Sequence, residues 1–225
     1  MNLSFRCVRS AVFAVSASLA LASCVSTPEA PGTAPAAPVA ALPAPPAPVM
    51  ETPQRAEVPP LIAEALAALD AHSAQVAHHD KIAVVDFSLP SSEPRFHLVD
   101  VATGRIERSW LVAHGSGSDP AGTGRVQSFS NRLGSNATSR GAYLTANPYY
   151  GKYGRSQRLI GLDPENDMAM NRAIVIHGAP YVDPALIPQQ GRIGRSQGCF
   201  AFELDEVGAV MNLLGEGRLI YAGMA

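Results

Sequence analysis

Cysteine is scarce in this chain of 225 residues: there are three, Cys7, Cys24 and Cys199. Two of them sit at the extreme N-terminus, so the remainder has no pair from which to build a disulfide framework, and the small disulfide-stapled class is excluded. Charge of one sign is lacking as well. The 17 basic and 19 acidic residues leave a net charge of −2, and no basic block suits nucleic acid or a polyanionic surface. The apolar stretch Ala11 to Leu21 is too short to span a bilayer. No internal repeat appears.

What is present at the N-terminus is a targeting pattern. Arg6 and Arg9 form a basic region, Ala11 to Leu21 an apolar one, and Leu21-Ala22-Ser23-Cys24 places small residues before a cysteine. This resembles a bacterial lipoprotein signal. The resemblance implies that residues 1–23 are removed and that acylated Cys24 anchors a periplasmic protein to the membrane. Val25, which is not acidic, favours the outer membrane. Loss of Arg6 and Arg9 would bring the net charge to −4, and Cys199 would be the only free thiol of the mature chain. A lone thiol in an oxidising compartment invites a functional reason.

Residues 24–60 are dominated by Ala, Pro, Val and Thr, as in Ala34-Pro35-Ala36-Ala37-Pro38. Such a segment cannot bury enough apolar surface to fold and reads as an extended tether. Residues 61–80 contain a helix over Leu61 to Val76, with Leu61, Ile62, Ala65, Leu66 and Leu69 on one side. From 81 to 225 the chain suffices for one domain with one core. Short apolar or alternating runs predict strands at Ile82 to Phe87, Arg95 to Val101, Ile106 to Ala113, Ala142 to Thr145, Arg158 to Leu162, Ala173 to His177 and Arg218 to Ala222. Thr103-Gly104 joins two of them as a hairpin. Glu203 to Leu214 is a second helix, stopped by Gly215. The expected fold is therefore a mostly β sandwich or barrel with one or two flanking helices. Gly115 to Arg140 is a long loop of the kind that is commonly functional.

Cys199, in Gly194-Arg195-Ser196-Gln197-Gly198-Cys199, and His177, at the end of a strand-like run, supply a nucleophile and a base. A thiol with an ordinary pKa near 8.5 is only a few per cent ionised at neutral pH and needs such help. Gly178 permits a turn after the base, and its carbonyl is placed to hold one imidazole nitrogen. Gly198 leaves room for a carbonyl substrate, and the amides of Gly198 and Cys199 are candidate oxyanion donors. Ser196 is a partner for the loop or substrate. Arg192 and Arg195 are cations suited to a substrate carboxylate and would also depress the thiol pKa. His114 ends a similar run and is a candidate to meet His177. Tyr149, Tyr150 and Tyr153 are candidates to line a groove. His72, His78, His79 and His97 read as solvated surface. No cofactor is implied, and no close ligand pair supports a metal.

A His-Gly ending a strand, followed by Ser-x-Gly-Cys, resembles the L,D-transpeptidase (YkuD-like) catalytic domain. Ala113-His114-Gly115, Phe129-Ser130-Asn131, Thr138-Ser139-Arg140-Gly141-Ala142-Tyr143 and Tyr150-Gly151-Lys152-Tyr153-Gly154 extend the similarity over about Ile82 to Ala222. The resemblance implies an envelope enzyme acting on peptidoglycan. Its cysteine attacks the bond between a diamino acid, usually meso-diaminopimelate, and D-alanine in a tetrapeptide stem, and the thioester then passes the acyl group to an amine. The acceptor is a second stem, giving a 3-3 crosslink, or an envelope protein. Water as acceptor gives an L,D-carboxypeptidase, and a silent peptidoglycan-binding lipoprotein is the rival from another class. Two departures stand out. Gln197 occupies a position where many members have a second histidine, and the spacing from His177 to Cys199 is long, with an insert around Tyr181 to Gln190 that suits a lid or groove wall.

Overall fold

The structure, a computed structural model, describes residues 59–225. The expected signal segment, Cys24 and all but the last two tether residues lie outside the described residues. Helix α1 (Pro60–Ala71) comes first, with proline at its opening turn where no amide partner is lost. Then follow β1 (Lys81–Asp86), β2 (Phe96–Asp100), β3 (Ile106–Trp110), β4 (Gly141–Gly151), β5 (Gly154–Gly161), β6 (Val175–Gly178), the short α2 (Ile187–Gln190), β7 (Phe200–Phe202), α3 (Val207–Leu214) and β8 (Leu219–Gly223).

The eight strands form one mixed sheet in the order β3-β2-β1-β8-β4-β5-β6-β7. Pairing is antiparallel except for β1 with β8 and β6 with β7. The protein is thus mostly β with a few flanking helices. The chain leaving β3 returns to the opposite edge: Ala113 bridges Ala201 of β7, its amide donating to the Ala201 carbonyl at 2.9 Å. The two edges are joined there, which removes exposed ladder groups and curls the sheet toward a barrel.

Alternation along the central strands decides which face each helix covers. Ile82 and Val84 of β1 and Leu219 of β8 pack against Leu61, Ile62, Ala65 and Leu69 of α1. Ala83 and Val85 of β1 and Ile220 and Ala222 of β8 face the other way, toward Val210, Met211 and Leu214 of α3. Each Leu or Ile so buried contributes about 1.5–3 kcal/mol. The central strands, covered on both faces, accordingly read as continuous apolar runs.

Three expectations are corrected. Helix α1 ends at Ala71 rather than Val76, because His72 leaves the helix and its Nε2 lies 2.8 Å from Asp163 Oδ1, pinning the helix end. His72 is therefore not simply solvated. Helix α3 starts at Val207 rather than Glu203: Leu204, counted in its apolar face, is 59% exposed and has no core to meet. Strand β4 runs on past Thr145 to Gly151 and turns tightly into β5, so Gly151-Lys152-Tyr153-Gly154 is a hairpin tip.

Candidate active site

Strand β6 pairs in parallel with β7, Ile176 opposite Phe200 and His177 opposite Ala201. Extending that register by one residue sets Cys199 opposite Val175. Ile176 and Phe200 point into the main core, so Val175, His177 and Cys199 share the other face, with His177 and Cys199 as diagonal neighbours. All three line a cleft of about 540 Å³.

Nδ1 of His177 lies 2.9 Å from the Gly178 carbonyl. A carbonyl only accepts, so Nδ1 carries the hydrogen and Nε2 is the basic nitrogen of the neutral ring. The Tyr153 ring, delivered by the β4–β5 hairpin, stacks on the imidazole with centroids 4.2 Å apart and planes 19° apart. Burial pushes the His177 pKa down; the Gly178 carbonyl opposes this and Lys152 adds to it. Cys199 is half-buried, its Sγ 3.6 Å from the Ala173 carbonyl. Ala173 holds that carbonyl there from a left-handed conformation, φ 54°, a strain that an alanine adopts only when its surroundings impose it. Burial pushes the Cys199 thiol up, against the Val175 amide and the cations Arg172 and Lys152. Both directions favour the uncharged forms, thiol and imidazole.

The loop carrying Cys199 is clamped by its own residues. Ser196 Oγ donates to the Cys199 carbonyl at 2.7 Å and accepts the Gly198 amide at 3.1 Å. The Ser196 amide donates to the His114 carbonyl at 2.9 Å, and Ser116 donates back to the Ser196 carbonyl at 2.8 Å. Gly198, at φ 112°, is required twice over: a Cβ there would stand 2.7 Å from the Ala137 carbonyl oxygen.

Residues 55–222 match the family described as the L,D-transpeptidase catalytic domain. The chain belongs to that family. No curated protein matches this chain. Among solved structures, it is similar to an L,D-transpeptidase from Mycobacterium smegmatis at 14% identity, covering 64% of this chain and 58% of that one, with a TM-score of 0.38. L,D-transpeptidase 3 from Mycobacterium tuberculosis, in complex with a faropenem-derived adduct, gives 12%, 64%, 60% and 0.39. A helical cell shape determining protein from Campylobacter jejuni gives 14%, 72%, 54% and 0.41. The chain spans less than two thirds of the length of each.

Several site expectations for this L,D-transpeptidase domain need correction. The Gly198 amide is spent on Ser196 Oγ, leaving the Cys199 amide as the candidate oxyanion donor of that pair. Arg192 does not line the cleft; its Nε donates to the Gly122 carbonyl at 2.6 Å and its Nη1 to the Ile193 carbonyl. Arg195 does reach the cleft but is anchored to the Asp119 carbonyl. Tyr150 is 84% exposed and outside the cleft, which Tyr149 and Tyr153 line instead. Tyr181, from the insert, contributes to its wall, whereas α2 does not.

His114 does not meet His177. It is fully buried, with Nδ1 accepting from Arg95 at 2.7 Å and Nε2 donating to Asp119 at 3.4 Å. Burial, the Arg95 guanidinium and Arg195 push its pKa down to about 4, against Asp119. Asp119 also accepts from the Thr123 and Gly124 amides, and the buried Arg95 holds the Val112 and Leu89 carbonyls.

Two residues escaped the sequence reading. Arg172 lines the cleft and donates to Ser130, Ser135, Ala137 and Ser139, folding the long loop onto the site. An arginine before an apolar strand carries no signal of that. Lys152 also lines the cleft, and here a signal existed, since Gly-x-x-Gly between two alternating runs marks a hairpin tip.

Proposed function

We propose that this domain is a peptidoglycan L,D-transpeptidase with Cys199 as nucleophile and His177 as base. The observation that carries the reading is that β6 and β7 set these two side chains on one face of a shared cleft, with the imidazole held in one tautomer by Gly178. Sγ attacks the carbonyl carbon of the diamino acid–D-alanine bond while its proton passes to His177 Nε2. The tetrahedral oxyanion is met by the Cys199 amide. Collapse breaks the C–N bond, the D-alanine amine takes the proton from Nε2, and a thioester remains. An acceptor amine then attacks, gives its proton to Nε2, and the thiolate leaves and is reprotonated.

Burial disfavours the charged form of both partners, so in this reading the proton moves during attack rather than beforehand. Alkylation of Cys199 by iodoacetamide is accordingly expected to accelerate on raising the pH through and above the ordinary thiol range. A plateau already reached at pH 7 would mean a stored thiolate and overturn this order of events. The reading itself is tested by incubating the protein with tetrapeptide muropeptides and weighing the products. Mass distinguishes 3-3 dimers from hydrolysed tripeptides and protein conjugates. A Cys199→Ala variant that still releases D-alanine would remove Cys199 from its role, and a wild-type thiol inert to substrate and alkylating reagent would favour the silent binding protein. The same reading locates the domain in the periplasm, attached through acylated Cys24, and predicts that incorporation of labelled fatty acid is lost in Cys24→Ala.

A further inference from the structure

The chain has two lysines. Lys81 is paired with Glu107, 2.5 Å from Nζ to Oε2. Lys152 is exposed at the tip of the β4–β5 hairpin and enters no ion pair among the described residues. Its Nζ lies 4.7 Å from the centroid of the Tyr153 ring, whose other neighbour is the His177 imidazole. Lys152 and His177 thus both border the Tyr153 ring, and all three line the cleft.

The cleft wall carries three cations, Lys152, Arg172 and Arg195, and no acidic side chain among the described residues. The two arginines are held in place by neutral oxygens of the protein. Arg172 spends its guanidinium on the 130–139 loop, and Arg195 is tied to the Asp119 carbonyl. None of the three is paired with a carboxylate among the described residues, but the arginines are fixed by these bonds, whereas Lys152 stands on an exposed, rotatable stem and can follow whatever enters.

We propose that Lys152 is the residue that recognises a carboxylate of the acyl donor and so sets the donor's register over Cys199. The proposal rests on the transpeptidase reading for the donor's identity. That donor offers two carboxylates near the scissile carbonyl: the C-terminus of the departing D-alanine and the side-chain carboxylate of the diamino acid. A compact, rotatable ammonium suits either. An exposed pair of this kind becomes stronger as the bound peptide displaces water, and it weakens with salt.

The experiment measures the affinity of the full-length protein in detergent for labelled tetrapeptide stems in the Cys199→Ala background, so that turnover is not needed. Three donors are compared: the native stem, one amidated at the C-terminus and one amidated at the diamino acid side chain. Lys152→Met is expected to weaken native-stem binding about fivefold, the scale of one such ion pair. Lys152→Arg should restore most of it. One of the two amidations should weaken binding to a similar extent and make the stem insensitive to Lys152→Met, which identifies the carboxylate. Equal loss on all three donors, no loss on any, or no binding of the native stem at all would overturn the proposal. Wild-type turnover of the native stem, measured separately, tests the transpeptidase reading: turnover without coupling to Lys152 sinks this inference alone.

Discussion

The molecule contains two His-Gly dipeptides at the ends of apolar runs, and they have come to opposite uses. At His114-Gly115 the imidazole is sealed in, both nitrogens occupied by Arg95 and Asp119. At His177-Gly178 one nitrogen is tied to a backbone carbonyl and the ring edges a cleft. Burial depresses both, yet the neighbours differ in kind. A guanidinium and a carboxylate turn His114 into a structural linker, whereas a carbonyl, a tyrosine ring and an adjacent strand bearing a thiol leave His177 with a free basic nitrogen. The two regions touch through Ser196, whose amide holds the His114 carbonyl while its hydroxyl holds the Cys199 carbonyl. The buried region thus supports the loop that the open region uses.

The comparison breaks most visibly at the histidines themselves. His177→Gln should reduce D-alanine release about 10²–10⁴-fold, the usual share of a general base, with little change in thermal midpoint. Wild-type turnover in that variant would remove His177 from the chemistry. On the other side, Asp119→Ala strips the acceptor from His114 and from two loop amides and should cost about 3–5 kcal/mol in urea unfolding, at about 1–3 kcal/mol for each buried donor left unsatisfied. A turnover loss without destabilisation would instead give the buried network a direct part in the reaction.

Acid titration sharpens the contrast. The folded state protonates His114 only near pH 4, whereas an unfolded chain does so near 6.5. Below pH 6.5 the unfolded state therefore binds more protons, so this group's contribution is present above 6.5 and is lost as pH falls toward 4. The loss is on the order of 3 kcal/mol. Arg95, Asp119 and Arg195 are the charged groups facing the ring. His114→Gln should flatten that part of the stability–pH curve; an unchanged slope would assign it to other groups. The smallest effect is expected at Tyr153→Leu. Unstacking the ring lets water reach His177, raises its pKa and moves the acid limb of the pH–rate profile to higher pH, with turnover down about threefold, the scale of one aromatic stack. An unshifted limb would mean that Tyr153 does not shield the base.

Much of this was legible in the residues. The apolar runs of β1, β2 and β8, the Thr103-Gly104 hairpin and the Gly215 stop signal give local period and turn chemistry directly. Strand β7 was not legible, because its three residues, all buried, are too few to show a period. Nor was the spent Gly198 amide, since a hydroxyl two residues away competes for it only once the loop has closed. Arg192 and Arg172 show the same limit: one stands in a polar loop and the other before an apolar strand, and only the fold sends the first to Gly122 and the second to the cleft.

Sequence alone determined the chemistry available to this protein: one thiol beyond the N-terminal segment, a histidine at a strand end, glycines where the backbone must turn, and enough of a pattern to identify the family. Those properties are local, written in side-chain type and short-range spacing. Which histidine shares a sheet face with the thiol, which arginine reaches the cleft and which amide remains a donor were decided only by tertiary structure. Each depends on what a strand far away in the chain brings into contact, and the dielectric and partners found there set the protonation and the free valence of groups that look alike in sequence.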